Sequence, residues 1–256
     1  MTGSPLALDA AFLSGMLKRT ADKEANALSM IENHLQEYPD TFLSWSGGKD
    51  STVAVFLAKE VKSDIPVVFF DSGIEYPENV DYINDLASTK DINLHTIHTG
   101  DVLGLIVEHA WFDHYRDARD VGYTLRQVKI EMPSQRAHDI YGKGRIWGLR
   151  ADESNARSAL LNPTKGVTKY LNGQVACAPL WNWTDKEVRG VLSKREIPTN
   201  PLYKRLTDIG VPIREQRAGA LFDGGLDFGR ITWLKRGYPH LYDKIKEHLP
   251  RLEEYR

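Results

Sequence analysis

The string SWSGGKDST at 44–52 gathers hydroxyls, two glycines, a lysine and an acid into one short segment. Ser44 and Ser46 precede the glycines, and Gly47 and Gly48 permit a sharp turn in which successive backbone N–H groups converge on one point. If a strand ends at Ser46 and a helix begins at Asp50, the helix N-terminus adds its positive dipole end there. Lys49 contributes a full charge, and the hydroxyls of Ser46, Ser51 and Thr52 contribute donors. Such a site suits an oxyanion such as pyrophosphate. It is not a Walker A loop, which has Ser or Thr directly after its lysine, whereas Asp50 follows Lys49 here. An acid in that place makes sense if a Mg²⁺ ion shares the phosphates, with Asp50 as its ligand. The plainer alternative is a tight strand–helix turn with solvent-facing polar residues.

Other chemistry-bearing residues are sparse. The single cysteine, Cys177, excludes an internal disulfide, a zinc site of several thiolates and a four-cysteine iron–sulfur centre within the chain. It falls near the C-terminal end of a predicted strand, where it is either a small buried residue or a thiolate that accepts sulfur. His95 and His98 alternate on a strand, and His109 and His114 fall on a predicted helix. No acid completes an HExxH or facial-triad spacing with them. Arg214, Arg217, Arg230, Lys235 and Arg236 form a basic tail interleaved with Phe228, Trp233 and Tyr238. That tail either grips nucleic acid or packs its aromatics on a sheet.

The elements that must position these residues follow from pattern. TFLSWS at 41–46, PVVFFDS at 66–72, INLHTIH at 92–98, RIWGLR at 145–150 and QVACAPL at 174–180 read as strands. The apolar run at 66–72 fits burial on both faces. Helices are predicted over 50–61, over 77–89 with Pro77 in the first turn, and over 185–195 behind a Thr184 to Glu187 capping box. Residues 7–36 carry helical periodicity, and 101–142 are read as mostly helical through Leu103, Ile106, Val107 and Ala110. Strand–helix alternation predicts a doubly wound, mainly parallel five-stranded α/β sheet with helices on both faces. The expected organisation is an N-terminal helical segment at 1–40, a nucleotide-binding α/β domain at 41–200 and a helical basic extension at 201–256.

Composition narrows the class. Of 256 residues, 41% are hydrophobic and 27% charged, a globular rather than disordered balance. No apolar run of about 18 residues could span a membrane. The N-terminal stretch lacks the charged-then-apolar order of a secretory signal. Together these predict a cytoplasmic protein. The net charge of −2 divides unevenly: residues 1–100 hold 7 basic and 15 acidic residues, and 101–256 hold 26 and 20. The basic excess suits phosphates, sulfate or nucleic acid, or simply a solvated surface.

SGGKDS resembles the pyrophosphate loop of the PP-loop ATP pyrophosphatase (adenine nucleotide alpha hydrolase-like) superfamily. Within it, the resemblance is to the phosphoadenosine phosphosulfate (PAPS) reductase family. DSGIEYPENVDYI at 71–83, GLRADESNAR at 148–157, APLWNWTDKEV at 178–188 and IPTNPLY at 197–203 match that family's further segments in order. The resemblance implies a nucleotide across the C-terminal ends of the parallel strands, with ATP and Mg²⁺ as cofactors. Residues 46–51 would hold its phosphates. Asp71, Ser72 and Gly73 would lie near the ribose or adenine, and Gly148 would let the backbone approach the nucleotide. Arg150 would neutralise phosphate, Arg157 is either a second such contact or a surface charge, and Trp181 and Trp183 are either core or stacking residues. Lys49, Asp50 and Arg150 are the expected catalytic set.

One departure shapes the expected function. Reductases of this family attack sulfur with a C-terminal cysteine, and no cysteine follows Tyr203 here. The leading expectation is therefore an ATP pyrophosphatase that activates an acceptor for sulfur transfer. One version acts in DNA phosphorothioation with a cysteine desulfurase or other sulfur donor protein, so that DNA or RNA is a partner. The alternatives are a PAPS or APS reductase using a partner's thiol, and a non-catalytic nucleotide-binding regulator. An exposed N-terminal amphipathic helix would favour a homodimer.

Overall fold

The computed structural model of the chain describes residues 5–99, 127–219, 230–248 and 253. The elements run α1 Pro5–Glu37, β1 Thr41–Ser44, α2 Lys49–Val61, β2 Val67–Asp71, α3 Pro77–Thr89 and β3 Leu94–His98. A π-helical turn, Gln127–Glu131, leads into α4 Met132–Tyr141 and β4 Gly144–Trp147. Then come α5 Asn155–Thr164, β5 Val167–Lys169, β6 Val175–Cys177, α6 Asp185–Lys194, α7 Leu202–Asp208, α8 Arg230–Gly237 and α9 Pro239–His248. Most of the helix expected over 101–142 lies outside the described residues, as do His109, His114, Phe228 and the side chains of Arg214 and Arg230.

Six strands form one sheet in the order β3-β2-β1-β4-β6-β5. β1 with β4, β2 with β3, and β4 with β6 are parallel, and only the added edge strand β5 runs antiparallel, against β6. The Leu43 N–H to Pro66 O and Trp45 N–H to Val68 O bonds (2.8 and 2.9 Å) advance in step, as parallel neighbours do. The sheet is thus the expected doubly wound, mainly parallel one, with a sixth strand. Sequence order reverses between β1 and β4, and ligands of open α/β sheets bind outside the strands' C-terminal ends at such a reversal.

The chain divides into two compact units. The first comprises Met1–Ser44, Lys49–Pro66 and Tyr141–Pro198. Its core contains Phe42, Leu43, Val53, Leu57, Ile146, Cys177 and Trp183, all at most 1% exposed. The α1 helix brings a buried acid, Glu24, to Lys194 and Arg195 near the end of α6 (3.0 and 2.8 Å). The α6 helix starts as expected, with the Thr184 Oγ1 and Glu187 carboxylate forming a reciprocal cap, worth about 1 kcal/mol. The second unit comprises Trp45–Gly48, Val67–Ile140 and Thr199–Arg256. The apolar run Val67, Val68 and Phe69 is buried there, and α3 begins at Pro77, which has no N–H to leave unsatisfied. Leu202, Leu206, Ile209, Val211 and Ala218 form a further buried cluster, with Trp233 and Tyr238 packed against it. Both aromatics of the basic tail that are described therefore pack inward.

Candidate functional site

β1 and β4 pair in register, Ser44 opposite Trp147. The Oγ of Ser44 and the indole Nε1 of Trp147 are buried, and neither has a hydrogen-bond partner among the described residues. Orphaned polar atoms cost about 1–3 kcal/mol each, and both stand at the end of the sheet where a ligand is expected. In sequence, the segments that follow these two strand ends are 45–48 and 148–150.

In the second unit, the loop at Trp45–Gly48 is held by side-chain amides. Gly47 has φ +73°, a conformation that strains any residue with a Cβ, and a Cβ there would stand 2.0 Å from Asn79 Oδ1. Asn79, fully buried, donates through Nδ2 to Ser46 O (3.1 Å) and Ala218 O (2.8 Å). Asn200, 2% exposed, donates to Gly47 O (3.0 Å) and to Asn79 Oδ1 (2.7 Å). Its Oδ1 accepts from Leu202 N–H (2.9 Å). The carbonyls of Ser46 and Gly47 are therefore both occupied. The exposed Ser46 hydroxyl accepts a long bond from Gly48 N–H (3.4 Å).

The same unit places Asp71 at the end of β2. One carboxylate oxygen accepts from Gly73 N–H (2.8 Å), and the other lies 3.3 Å from His98 Nδ1 on neighbouring β3. Ser72 is buried and donates to Glu75 (2.6 Å), while Gly73 (φ +74°) has open space around it.

In the first unit, Lys49 opens α2 and its Nζ reaches Asp50 Oδ2 (2.8 Å) and Asp185 Oδ1 (3.2 Å). The other oxygen of Asp50 accepts from Arg150 Nε (2.6 Å). Arg150, 3% exposed, also donates to Asp152 and to Trp183 O (3.2 Å). Burial works against its charge, but Asp50, Asp152 and Glu153 outweigh burial and raise its pKa above the ordinary arginine value. Asp185 is likewise opposed by burial, yet Arg189 and Lys49 hold its carboxyl below the usual range. Ser51 and Thr52 are buried within α2.

Several expectations change on this geometry. Both oxygens of Asp50 are engaged by cations, so neither is open to a divalent ion, and no group of three metal-ligating side chains occurs among the described residues. The residues present do not fit a Mg²⁺ site at Asp50. A Cβ on Gly148 would meet Ser51 N and Cα at 2.4 Å, so this glycine lets β4's end pack on the first turn of α2. Arg157 pairs with Glu153, four residues before it across the extended N-cap of α5, as a surface charge would. Trp183 is core at 1% exposure, and the Trp181 ring packs against Gly166. Cys177 is fully buried in β6, and burial pushes its thiol up to about 12. The sequence reading assigns no site role to Asn79, Asn200 or Asp185, and weighs His98 only as a metal ligand; the first three sit inside the matched segments at 71–83, 197–203 and 178–188, which is the available signal.

Residues 40–213 match the family model described as the phosphoadenosine phosphosulfate reductase domain. A phosphoadenosine 5'-phosphosulfate reductase of Vibrio cholerae is 31% identical over 167 residues, covering 64% of this chain and 62% of that protein. The chain thus spans less than two thirds of the length of the curated reductases it matches. An uncharacterised protein of Methanocaldococcus jannaschii is 25% identical over 90% of this chain and 46% of its own length. Among solved structures, the phosphate complex of a Candida auris PAPS reductase aligns with TM-score 0.56 at 18% identity, over 82% of this chain and 94% of that one. The FMN adenylyltransferase of Candida glabrata, in complex with FMN and an ATP analogue, aligns with TM-score 0.54 at 15% identity, over 74% and 61%. At these identities the two structures report the fold alone.

Proposed function

We propose, for a chain that belongs to the phosphoadenosine phosphosulfate reductase domain family of the PP-loop superfamily, an ATP pyrophosphatase activity. An acceptor oxygen attacks the α-phosphorus of ATP. The bond from that phosphorus to the oxygen bridging to the β-phosphate breaks, and pyrophosphate leaves with the electron pair. Residues 46–51 hold the phosphates that become pyrophosphate, with loop N–H groups and Lys49 stabilising the charge that develops on it. Arg150 acts through Asp50, fixing the carboxylate that in turn aims Lys49. The orphaned Ser44 Oγ and Trp147 Nε1 fit a polar ligand at the strand ends. Because Asp50 does not fit Mg²⁺, no step is assigned to a metal.

The observation that carries this reading over reduction is the state of the only thiol. Cys177 is buried, its pKa raised to about 12, so it does not supply the thiolate that sulfur attack requires. In the finer version of this reading, the outer sulfur of a donor protein's persulfide attacks the activated phosphorus of the adenylylated acceptor, AMP leaves with the bridging oxygen, and a second thiol of the donor cleaves the S–S bond to leave the sulfur on the acceptor; a DNA backbone phosphate is one such acceptor. The test is incubation with ATP and Mg²⁺, with and without DNA, separating nucleotides and assaying pyrophosphate. AMP or an adenylylated product with equimolar pyrophosphate is expected, lost in Lys49→Ala and retained in Cys177→Ser.

A second reading, PAPS reduction by a thiol from a partner protein, is favoured by the names of the curated relatives. Tight binding of a 3′-phosphorylated adenylyl sulfate without pyrophosphate release from ATP would select it. Binding of ATP with no turnover under any acceptor would select a nucleotide-binding regulator.

A further inference from the structure

We infer that Asn79 and Asn200 are positioning residues that preorganise the loop at 46–48 for a diphosphate group; this rests on the loop being the anion site proposed above. A loop can offer converging N–H groups to an anion only if its carbonyl oxygens are turned to partners elsewhere, because a carbonyl oxygen facing a phosphate repels it. Here both carbonyls in question have such partners. Ser46 O accepts from Asn79 and Gly47 O from Asn200, and Asn200 also donates to Asn79 Oδ1, so the two amides act as one linked clamp. The far ends are anchored at Ala218 O and Leu202 N–H.

The choice of residue type follows from the task. The clamp needs donors toward carbonyls and an acceptor toward an N–H, in a place 0–2% exposed. A primary amide supplies both without charge. A lysine or arginine would bring a buried cation that competes for the anion, and an aspartate would set oxygen against oxygen. The positive φ of Gly47 and the 2.0 Å that a Cβ there would leave to Asn79 Oδ1 show how closely the amide packs beneath the turn.

The experiment compares binding of inorganic pyrophosphate and of AMP by calorimetry in the wild type, Asn200→Ala and Asn200→Asp, with urea midpoints measured alongside. The expected result is pyrophosphate affinity weakened about tenfold or more in both variants, with AMP affinity unchanged within about twofold. Asn200→Asp keeps the size and the acceptor for Leu202 N–H but places an oxygen opposite Gly47 O. A role in packing alone would be rescued by this near-isostere, so recovery of pyrophosphate binding there overturns the inference, as does equal weakening of both ligands. Should Asn200→Ala not fold, Asn200→Asp and Asn79→Ser carry the same comparison. Amide exchange at Gly48 and Lys49 reads the clamp without ligand, and exchange unchanged in the variants also overturns it. A wild type that binds no pyrophosphate, yet whose loop amides exchange faster in the variants, would sink the anion-site reading and leave the clamp standing.

Discussion

Residues 46–48 and 49–51 follow one another along the chain, yet they are held by opposite kinds of force. The loop backbone is gripped by neutral amides that are almost wholly buried. The first turn of α2 is held by charges: Lys49 between two carboxylates, Asp50 between two cations. Neutral hydrogen bonds fix a backbone without adding a field that an incoming anion would feel. Ion pairs fix side chains whose charge can be redirected, since a phosphate can compete with Asp185 for Lys49. If the loop takes an anion as proposed, the amides hold the geometry that must not change on binding, and the salt bridges hold the charge that is handed over.

That contrast can be broken from its charged side first. Arg150→Ala leaves Asp50, whose side chain is 12% exposed, with Lys49 as its one remaining cation, and should cost about 3 kcal/mol in urea denaturation, the lower end for a broken buried pair; a loss below about 1 kcal/mol would show that the network contributes little. Acid sensitivity comes next, and His34 must be separated out. Burial lowers its pKa from 6.5 to about 4, so the unfolded chain takes up a proton first as pH falls through that window. Stability should therefore drop by up to about 3 kcal/mol between those two values, and His34→Gln should flatten that limb.

Gly47→Ala tests the neutral side. Strain at positive φ and the contact with Asn79 should cost about 1–3 kcal/mol and abolish pyrophosphate release; near-wild-type melting with full activity would refute the tight packing described. The smallest effect is expected at Asp185, which is half-exposed. Its depressed pKa contributes stability present above its unfolded value of 3.8 and lost as pH falls through the lower folded one. Screening keeps the contribution below about 1 kcal/mol, and added salt should erase it while leaving the loop's amide exchange unchanged.

The divide between what was readable in sequence and what was not follows the same physics. Local signals located the strands at Val67–Asp71 and Leu94–His98, the helix at Pro77–Thr89 and the capped helix at Asp185–Lys194 within a few residues. The helix Asn155–Thr164 was missed because a proline sits inside its last turn at Pro163 and its apolar periodicity is weak. Val167–Lys169 is three residues long with exposed Val167 and Lys169, too short to alternate visibly. In the candidate site, the loop announced itself through glycines and charge. Asn79 and Asn200 did not, because nothing local marks an amide whose carbonyl partners lie 33 to 153 residues away. The pairing that makes Asp50 a poor fit for Mg²⁺ is illegible for a related reason: its partner Arg150 is 100 residues distant.

The burial of Cys177 gives the molecule a clock. Its thiol is the only one in the sequence, lies in the sheet at β6 and is not exposed at all. An alkylating reagent can reach it only when the packing around β6 opens, so the rate of labelling in native buffer measures how often the sheet is uncovered beside its edge strand β5. The same silence leaves the surface blank for reporters. Gly190, exposed on α6 with nothing near its missing side chain, could carry an added cysteine that labels at once while Cys177 keeps time beneath it.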